Sequence, residues 1–210
     1  MKTQEIAKHL PSVVMSTIFD IGANVGKTAA KYRATFPNAD IYSFEPVSST
    51  FEELAKRMSG KQIKCYNLAL SSKSGVASIM SKPFSLNNRI VSPKAGETET
   101  VKTVTGDEFC SGIKIRHINY VKVDTEGHDL KVVLGFSDML RGNAIDLMEL
   151  EVGLNSINKL HVPLDSAVSA MRFFGYEIFS FGDIAYERQG RPVLRRANVT
   201  FVSGRLATAT

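Results

Sequence analysis

The stretch Ile18-Phe19-Asp20-Ile21-Gly22-Ala23-Asn24-Val25-Gly26 constrains this chain more than any other. It opens as a short apolar run with one acid in it, the pattern of a buried strand. A glycine-bounded turn follows, and Lys27-Thr28-Ala29-Ala30-Lys31-Tyr32 reads as helix. Strand, glycine turn and helix together bring backbone N–H groups and a helix N-terminus up to a nucleotide-like ligand. Gly22 lets the chain turn sharply, and Gly26 lets the helix begin close to whatever lies above the strand. Asp20 stands near the strand's carboxyl end, where an apolar residue is expected. An acid there repels phosphate and attracts a cation.

That acid separates three readings of the turn. Gly26-Lys27-Thr28 imitates the end of a P-loop, but G-x-x-x-x-G-K-[ST] needs glycine at position 21, which is Ile21. A dinucleotide loop, G-x-G-x-x-G, needs glycine at position 24, where Asn24 would obstruct a pyrophosphate. S-adenosylmethionine (SAM) has no phosphate and carries a sulfonium and an ammonium, which suit the acid-rich D-x-G-x-x-x-G turn. An ordinary β-turn-α with a glycine cap stays open until other motifs are counted.

With 210 residues, 43% of them hydrophobic, the chain can bury one sizeable core. One domain over residues 1–210 is expected, with a short helix within 1–12 and a core over about 16–203. The net charge of +5 and a pI near 9.2 are mildly basic and do not by themselves imply nucleic acid. Cys65 and Cys110 follow no metal or C-x-x-C spacing and read as free thiols in a reducing compartment. No run reaches transmembrane length and the N-terminus lacks a secretory apolar segment, so a cytoplasmic location is expected.

Along the chain, helical and strand patterns alternate. A short amphipathic helix over Thr3 to Leu10 precedes the central strand. Asp40 to Phe44 is the second strand, followed by a helix capped by Ser48 or Ser49, with Glu52 placed for a capping box. Ile63 to Leu70 is a third strand region, Val76 to Met80 an extra strand, Pro83 to Gly96 a loop, and Thr98 to Val104 an edge strand. Ile118 to Asp124 is a strand ending in an acid, like the first, and a helix follows it to Gly135. Ala144 to Val152 is the next strand, Pro163 to Phe174 a helix, and Tyr176 to Phe181 and Asn198 to Val202 two terminal strands. The polar stretch between them, Gly182 to Arg196, is expected to be a mobile hairpin. Such alternation means an α/β fold with a mostly parallel sheet, its ligand lying above the carboxyl ends of the central strands. Glu45 ends the second strand 19 positions beyond Gly26, where an acid takes a ribose diol through charge-assisted hydrogen bonds. NAD and SAM share that ribose, so Glu45 supports a nucleoside without choosing between them.

Phe19-Asp20-Ile21-Gly22-Ala23-Asn24-Val25-Gly26, Phe44-Glu45-Pro46, Asn67-Leu68-Ala69-Leu70 and Val121-Lys122-Val123-Asp124-Thr125-Glu126-Gly127-His128-Asp129, in this order, resemble the FkbM family of SAM-dependent methyltransferases. The resemblance runs from about Thr17 to Phe181. It implies a Rossmann-like class I methyltransferase fold: a seven-stranded, mostly parallel sheet of order 3-2-1-4-5-7-6 with helices on both faces. It also implies methylation of a hydroxyl on a small molecule, sugar or glycolipid, with S-adenosylhomocysteine (SAH) as product. By matched motif, Asp20, Gly22, Asn24 and Gly26 would hold the methionine end of SAM and Glu45 the ribose. Asn67, Leu68 and Ala69 would sit by the adenine, and Asp124 near the ammonium and the reacting methyl. Thr125 departs from the aliphatic residue that relatives often carry, a change expected to matter little.

Transfer from a sulfonium needs alignment and, for an alcohol, a nearby base. Glu126 and His128 follow the acid-ended strand, and His128 oriented by Glu126 is the expected proton acceptor. As a first-turn acid and a surface histidine they would need no such role. Glu151 is a candidate third polar wall for the acceptor, and Asn88 and Arg89 are candidate acceptor contacts from the loop. Asp124, Glu126, His128 and Glu151 could supply hard metal ligands, but nothing in their spacing demands a metal and none is assigned. A nucleic-acid methyltransferase is the alternative, as is a non-catalytic SAM-fold protein. Against the first, no two prolines are adjacent and no proline precedes a cysteine, and arginines 188, 191, 195, 196 and 205 are read as a solvated face.

Overall fold

The computed structural model describes residues 3–80, 89–90, 98–187 and 190–208. In chain order the elements are α1 (Thr3–His9), β1 (Thr17–Ile21), α2 (Lys27–Thr35), β2 (Asp40–Phe44), α3 (Ser48–Met58), β3 (Ile63–Tyr66), β4 (Ala69–Leu70), β5 (Gly75–Met80), β6 (Arg89–Ile90) and β7 (Thr98–Val104). They continue as α4 (Gly106–Gly112), β8 (Ile118–Val123), α5 (Asp129–Gly135), α6 (Ser137–Arg141), β9 (Ile145–Gly153), β10 (Val162–Pro163), α7 (Leu164–Phe173), β11 (Tyr176–Tyr186), β12 (Leu194–Ser203) and α8 (Gly204–Ala207).

The main sheet runs β3-β2-β1-β8-β9-β12-β11. Taken in chain order along that path, the strands keep the expected 3-2-1-4-5-7-6. Two features depart from the expectation. Short β10 pairs with β9 and makes the sheet eight-stranded, and β4-β7-β5-β6 form a separate four-stranded sheet. Thr98–Val104 is therefore paired on both sides, by β4 and β5, and is not an edge. The first five strands of the path are parallel; β12 is antiparallel to both its neighbours.

Side chains alternate between two cores. Phe19, Ile21, Val121, Val123, Met148 and Leu150 face one, which α5 and α7 help to close with Val132, Val133, Ala167 and Met171. Ile18, Ile41, Tyr120 and Leu147 face the other, under Ala29 and Tyr32 of α2 and Leu54 and Met58 of α3. Strands β1, β8 and β9 are thus buried on both faces and have no solvent-facing side, as central parallel strands do, although Asp20, Lys122 and Glu149 are buried within them.

Some local expectations are corrected. The capping box at Ser49 and Glu52 is not formed: α3 starts at Ser48, its N-cap is Val47, and Glu99 accepts the Ser48 N–H. By contrast, the hairpin expected between the two terminal strands is formed: β11 and β12 stay paired out to Tyr186 and Leu194, with register shifts near Gly182 and Ala185. Of the expected loop from Pro83 to Gly96, only Arg89–Ile90 lies within the described residues, as strand β6. Among the described residues, no helix is long and apolar enough to cross a membrane.

Candidate active site at the carboxyl ends of the central strands

The ladders bring together residues far apart in the chain. The last matched pairs are Ile21 with Phe44, Ile21 with Val123, and Val123 with Leu150. The next residue along each strand is Glu45, Gly22, Asp124 or Glu151; the first three leave the sheet side by side, while Glu151 stands level with them inside β9, paired with Asn198 of β12. The approach at Gly22 is close: φ is +80°, and a Cβ there would lie 2.0 Å from the Asp124 carbonyl oxygen. Only glycine meets both conditions.

Glu45 is buried, and its carboxylate is already engaged. Oε2 accepts the Asn24 N–H and Oε1 the Val47 N–H, both at 3.0 Å. Burial pushes its pKa up to about 7, against the pull of those two bonds. Asn24 has φ +49°, and its own Oδ1 accepts the Val25 N–H at 2.7 Å. Gly26, at φ +81°, is the N-cap of α2, with Leu54 and Met58 where a Cβ would go. Asn67 Nδ2 donates to the carbonyls of Glu45 and Pro46, which ties the β3–β4 connection to the end of β2. Leu68 follows it half-buried, and Ala69 is buried in β4.

Asp20 lies two residues below this row, wholly buried, with neither carboxylate oxygen hydrogen-bonded. It pairs in register with Ser43 on one side and Lys122 on the other, and Lys122 pairs with Glu149. Burial pushes the Asp20 pKa up to about 6, while the Lys122 ammonium pulls it down. Burial works against the charge of Lys122 too, but Asp124 and Asp20 outweigh it and hold its pKa above the usual value. Lys122 Nζ is bonded to Asp124 Oδ2 at 2.7 Å. The cation expected to be drawn to Asp20 is thus partly supplied from within, by a lysine that sequence reasoning passed over.

Glu126 and His128 are not brought together as the expected dyad. His128 Nε2 is 2.9 Å from Ser71 Oγ, and burial, helped by Lys131, lowers its pKa. Glu126 faces His161, with Oε2 3.9 Å from Nε2; Glu151 Oε2 is 2.8 Å from the same nitrogen. Burial, then the charges of Asp124 and Glu151, push the Glu126 pKa up to about 7, with His161 opposing. Arg196 engages the other oxygen of Glu151. The loop carrying Glu126 is held by buried Asp129, whose Oδ2 accepts the Thr125 hydroxyl at 3.0 Å and the Gly127 N–H at 3.2 Å. Thr125 thus adds a bond that an aliphatic residue could not make.

His161 was not found from the sequence, because no short spacing links it to Glu126 or Glu151; only the pairing of Val162 with Val152 sets it there. Of the expected acceptor contacts, Asn88 lies outside the described residues, and Arg89 belongs to β6 in the second sheet.

The profile of the methyltransferase FkbM domain matches residues 20–178, most of the chain and all of this row. The chain belongs to the methyltransferase FkbM domain family. The hexuronic acid methyltransferase AglP of Haloferax volcanii is 31% identical over 141 residues, 66% of this chain and 57% of its own. The chain therefore spans just over half the length of that relative. Among solved structures, methyltransferase FkbM from Methylobacillus flagellatus KT superposes with a TM-score of 0.59 at 12% identity, covering 94% of this chain and 47% of the other. Fibrillarin from Aeropyrum pernix, with natively bound SAM, gives 0.51 at 12%, covering 96% and 74%. At such identities these two show the fold alone, the class I methyltransferase architecture to which this FkbM domain conforms.

Proposed function

We propose that this FkbM domain transfers the methyl group of SAM to a hydroxyl of a carbohydrate acceptor. The observation that carries this is the family match lying over the one row of residues that the sheet delivers to its ligand end. The relative that acts on a hexuronic acid supports the acceptor class.

The donor set fits the cofactor. Glu45, Asp124 and Asp20 set three carboxyls around the turn, with the Lys122 ammonium bonded to one of them, Asp124. That balance suits a ligand bearing a sulfonium and an ammonium and opposes a pyrophosphate. In this reading Gly22, Asn24 and Gly26 hold the methionine end, with Asp124 toward the ammonium. Glu45 takes the ribose diol on the lone pairs left by its two backbone bonds. Asn67, Leu68 and Ala69 border the adenine. Bound SAM supplies a methyl group already made electrophilic by its sulfonium. What the chain supplies is alignment, which is worth several kcal/mol of barrier, and a polar wall for the acceptor oxygen. That wall is Glu126, Glu151 and His161, at the far end of the row from Glu45. His128 is set apart from it by its bond to Ser71. The free thiols Cys65 and Cys110 support a reducing, cytoplasmic setting, and the family match supports one SAM domain.

The test is calorimetry with SAM, SAH, ATP and NAD, followed by methyl transfer from labelled SAM to a panel of hexuronic acids and hexosides. Micromolar binding of SAM and SAH with label entering a sugar is the expected result. Tight binding of ATP or NAD and none of either SAM species would overturn the reading.

A further inference from the structure

Glu126, Glu151 and His161 converge from three segments: the loop after β8, the end of β9 and the residue before β10. One ligand atom of each lies within 4.8 Å of the others. Glu126 Oε2 is buried and has no hydrogen-bond partner, although a carboxylate and an imidazole stand beside it. We propose that these three side chains bind a first-row divalent cation of the Mn2+ type, at the acceptor end of the site. Its binding does not depend on the methyl-transfer reading; only its use does.

Three features make this a built site. First, the far side of the imidazole is held. His161 Nδ1 lies 2.8 Å from Asn158 Nδ2 and 3.1 Å from Asn158 Oδ1. The amide is itself fixed, accepting the N–H groups of Leu160 and His161 and donating to the Arg195 carbonyl. Either tautomer is therefore supported. With the proton on Nε2, the ring donates to Glu151; with the proton on Nδ1, it donates to Asn158 Oδ1 and frees the Nε2 lone pair for a metal. A hydrogen bond on the other ring nitrogen is the usual support of a metal-bound histidine.

Second, Arg196 occupies Oε1 of Glu151 and leaves Oε2 turned to His161. Third, a Cβ at Gly127 would lie 2.2 Å from the Leu160 carbonyl oxygen, so the loop bearing Glu126 can rest on the segment bearing His161 only through a glycine.

Donors about 2.0–2.2 Å from one ion lie roughly 3–4 Å apart, so small side-chain adjustments close the set. Two carboxylates and one imidazole favour Mn2+, Fe2+, Co2+ or Zn2+ over Ca2+ and Mg2+. Three protein ligands leave positions open for an acceptor hydroxyl and a neighbouring oxygen, as on a hexuronate. Bound there, the hydroxyl becomes more acidic and releases its proton to water, keeping the electron pair on oxygen for attack.

The test is titration of the purified full chain with Mn2+, read by the loss of the free-ion paramagnetic resonance signal, beside calorimetry with SAH. One saturable Mn2+ site is expected. Glu126→Gln, Glu151→Gln and His161→Ala should each weaken it tenfold or more while SAH affinity stays within twofold. His117→Ala, which removes the other histidine beside a buried acid, should leave it unchanged. Because Glu151→Gln also unpairs Arg196, Glu126→Gln is the deciding variant. No saturable site up to millimolar Mn2+, or a site indifferent to Glu126→Gln and His161→Ala, overturns the proposal. Mn2+ binding without SAH binding would uphold the cation site and sink the methyl-transfer reading instead.

Discussion

Glu45 shows why a ligand-binding side chain can also be structural. Its carboxylate closes two backbone N–H groups, on the glycine turn and at the start of α3, and would lend its remaining lone pairs to a ribose. Replacing it therefore acts twice. Glu45→Ala is expected to weaken SAH binding by roughly 1.5–3 kcal/mol, the usual worth of hydrogen bonds to a charged group. It should also lower unfolding stability by about 1–3 kcal/mol, because two N–H groups lose their partner. Calorimetry and urea denaturation on the same preparation check both; an unchanged dissociation constant would mean that the diol is held elsewhere. Gly22 is the harsher position. Gly22→Ala puts a methyl group into the Asp124 carbonyl and asks alanine to hold a positive φ. Loss of SAH binding is expected, with a melting temperature below wild type. An alanine variant that binds normally would show that β1 and β8 can part at their ends without harm.

At the scale of the strands, the site rests on a buried polar row. Ser43, Asp20, Lys122, Glu149 and Thr200 are register partners across β2, β1, β8, β9 and β12, and all five are buried. Tyr120 donates to Glu149 at 2.6 Å from the same side of the sheet. Lys122 is the ammonium in the row, and it faces acids on both flanking strands and at the end of its own. Lys122→Met is accordingly expected to cost about 3–5 kcal/mol, the range for breaking a buried pair and leaving its partner uncompensated. Urea unfolding measures it. The double variant Lys122→Met with Asp20→Asn should recover part of that loss, since it removes one of the stranded charges. No recovery would show that Asp20 and Lys122 are not coupled, despite their pairing in register.

For the whole molecule, the raised carboxyls set the direction of the pH dependence. Folding lifts Asp20 from 3.8 to about 6 and Glu45 from 4.5 to about 7, in both cases chiefly by burial. Between those limits the native state keeps protons that the unfolded chain has lost. The unfolded state then binds fewer protons, and unfolding free energy falls as pH rises. The contribution of these two groups is fully present below about pH 4 and gone above about pH 7. Denaturation curves at constant ionic strength between pH 5 and 7.5 should show stability declining along the series. A rise over that range would mean that other groups dominate. Glu45 is only half-ionised near pH 7, so SAH affinity should rise from pH 6 to pH 8 while stability does not.

The sequence by itself determined the family, the nucleotide-type turn and the residues at the ends of β1, β2 and β8. These are local signals: a strand, a glycine and an acid adjacent in the chain have few ways to fold. It also placed most elements, because helix and strand periods are written into short windows. It could not place Thr98–Val104 in a second sheet, since an alternating strand carries no mark of its partner. Nor could it pair Glu126 with His161 in preference to His128. Sequence nearness favoured Glu126 and His128, two positions apart, but the turn at Gly127 and the ladder between β9 and β10 sent them to different neighbours. Asp20 followed the same logic. Its place in the motif was legible, while its complete burial against Lys122 was decided by strand register, a property of the assembled sheet that no single segment contains.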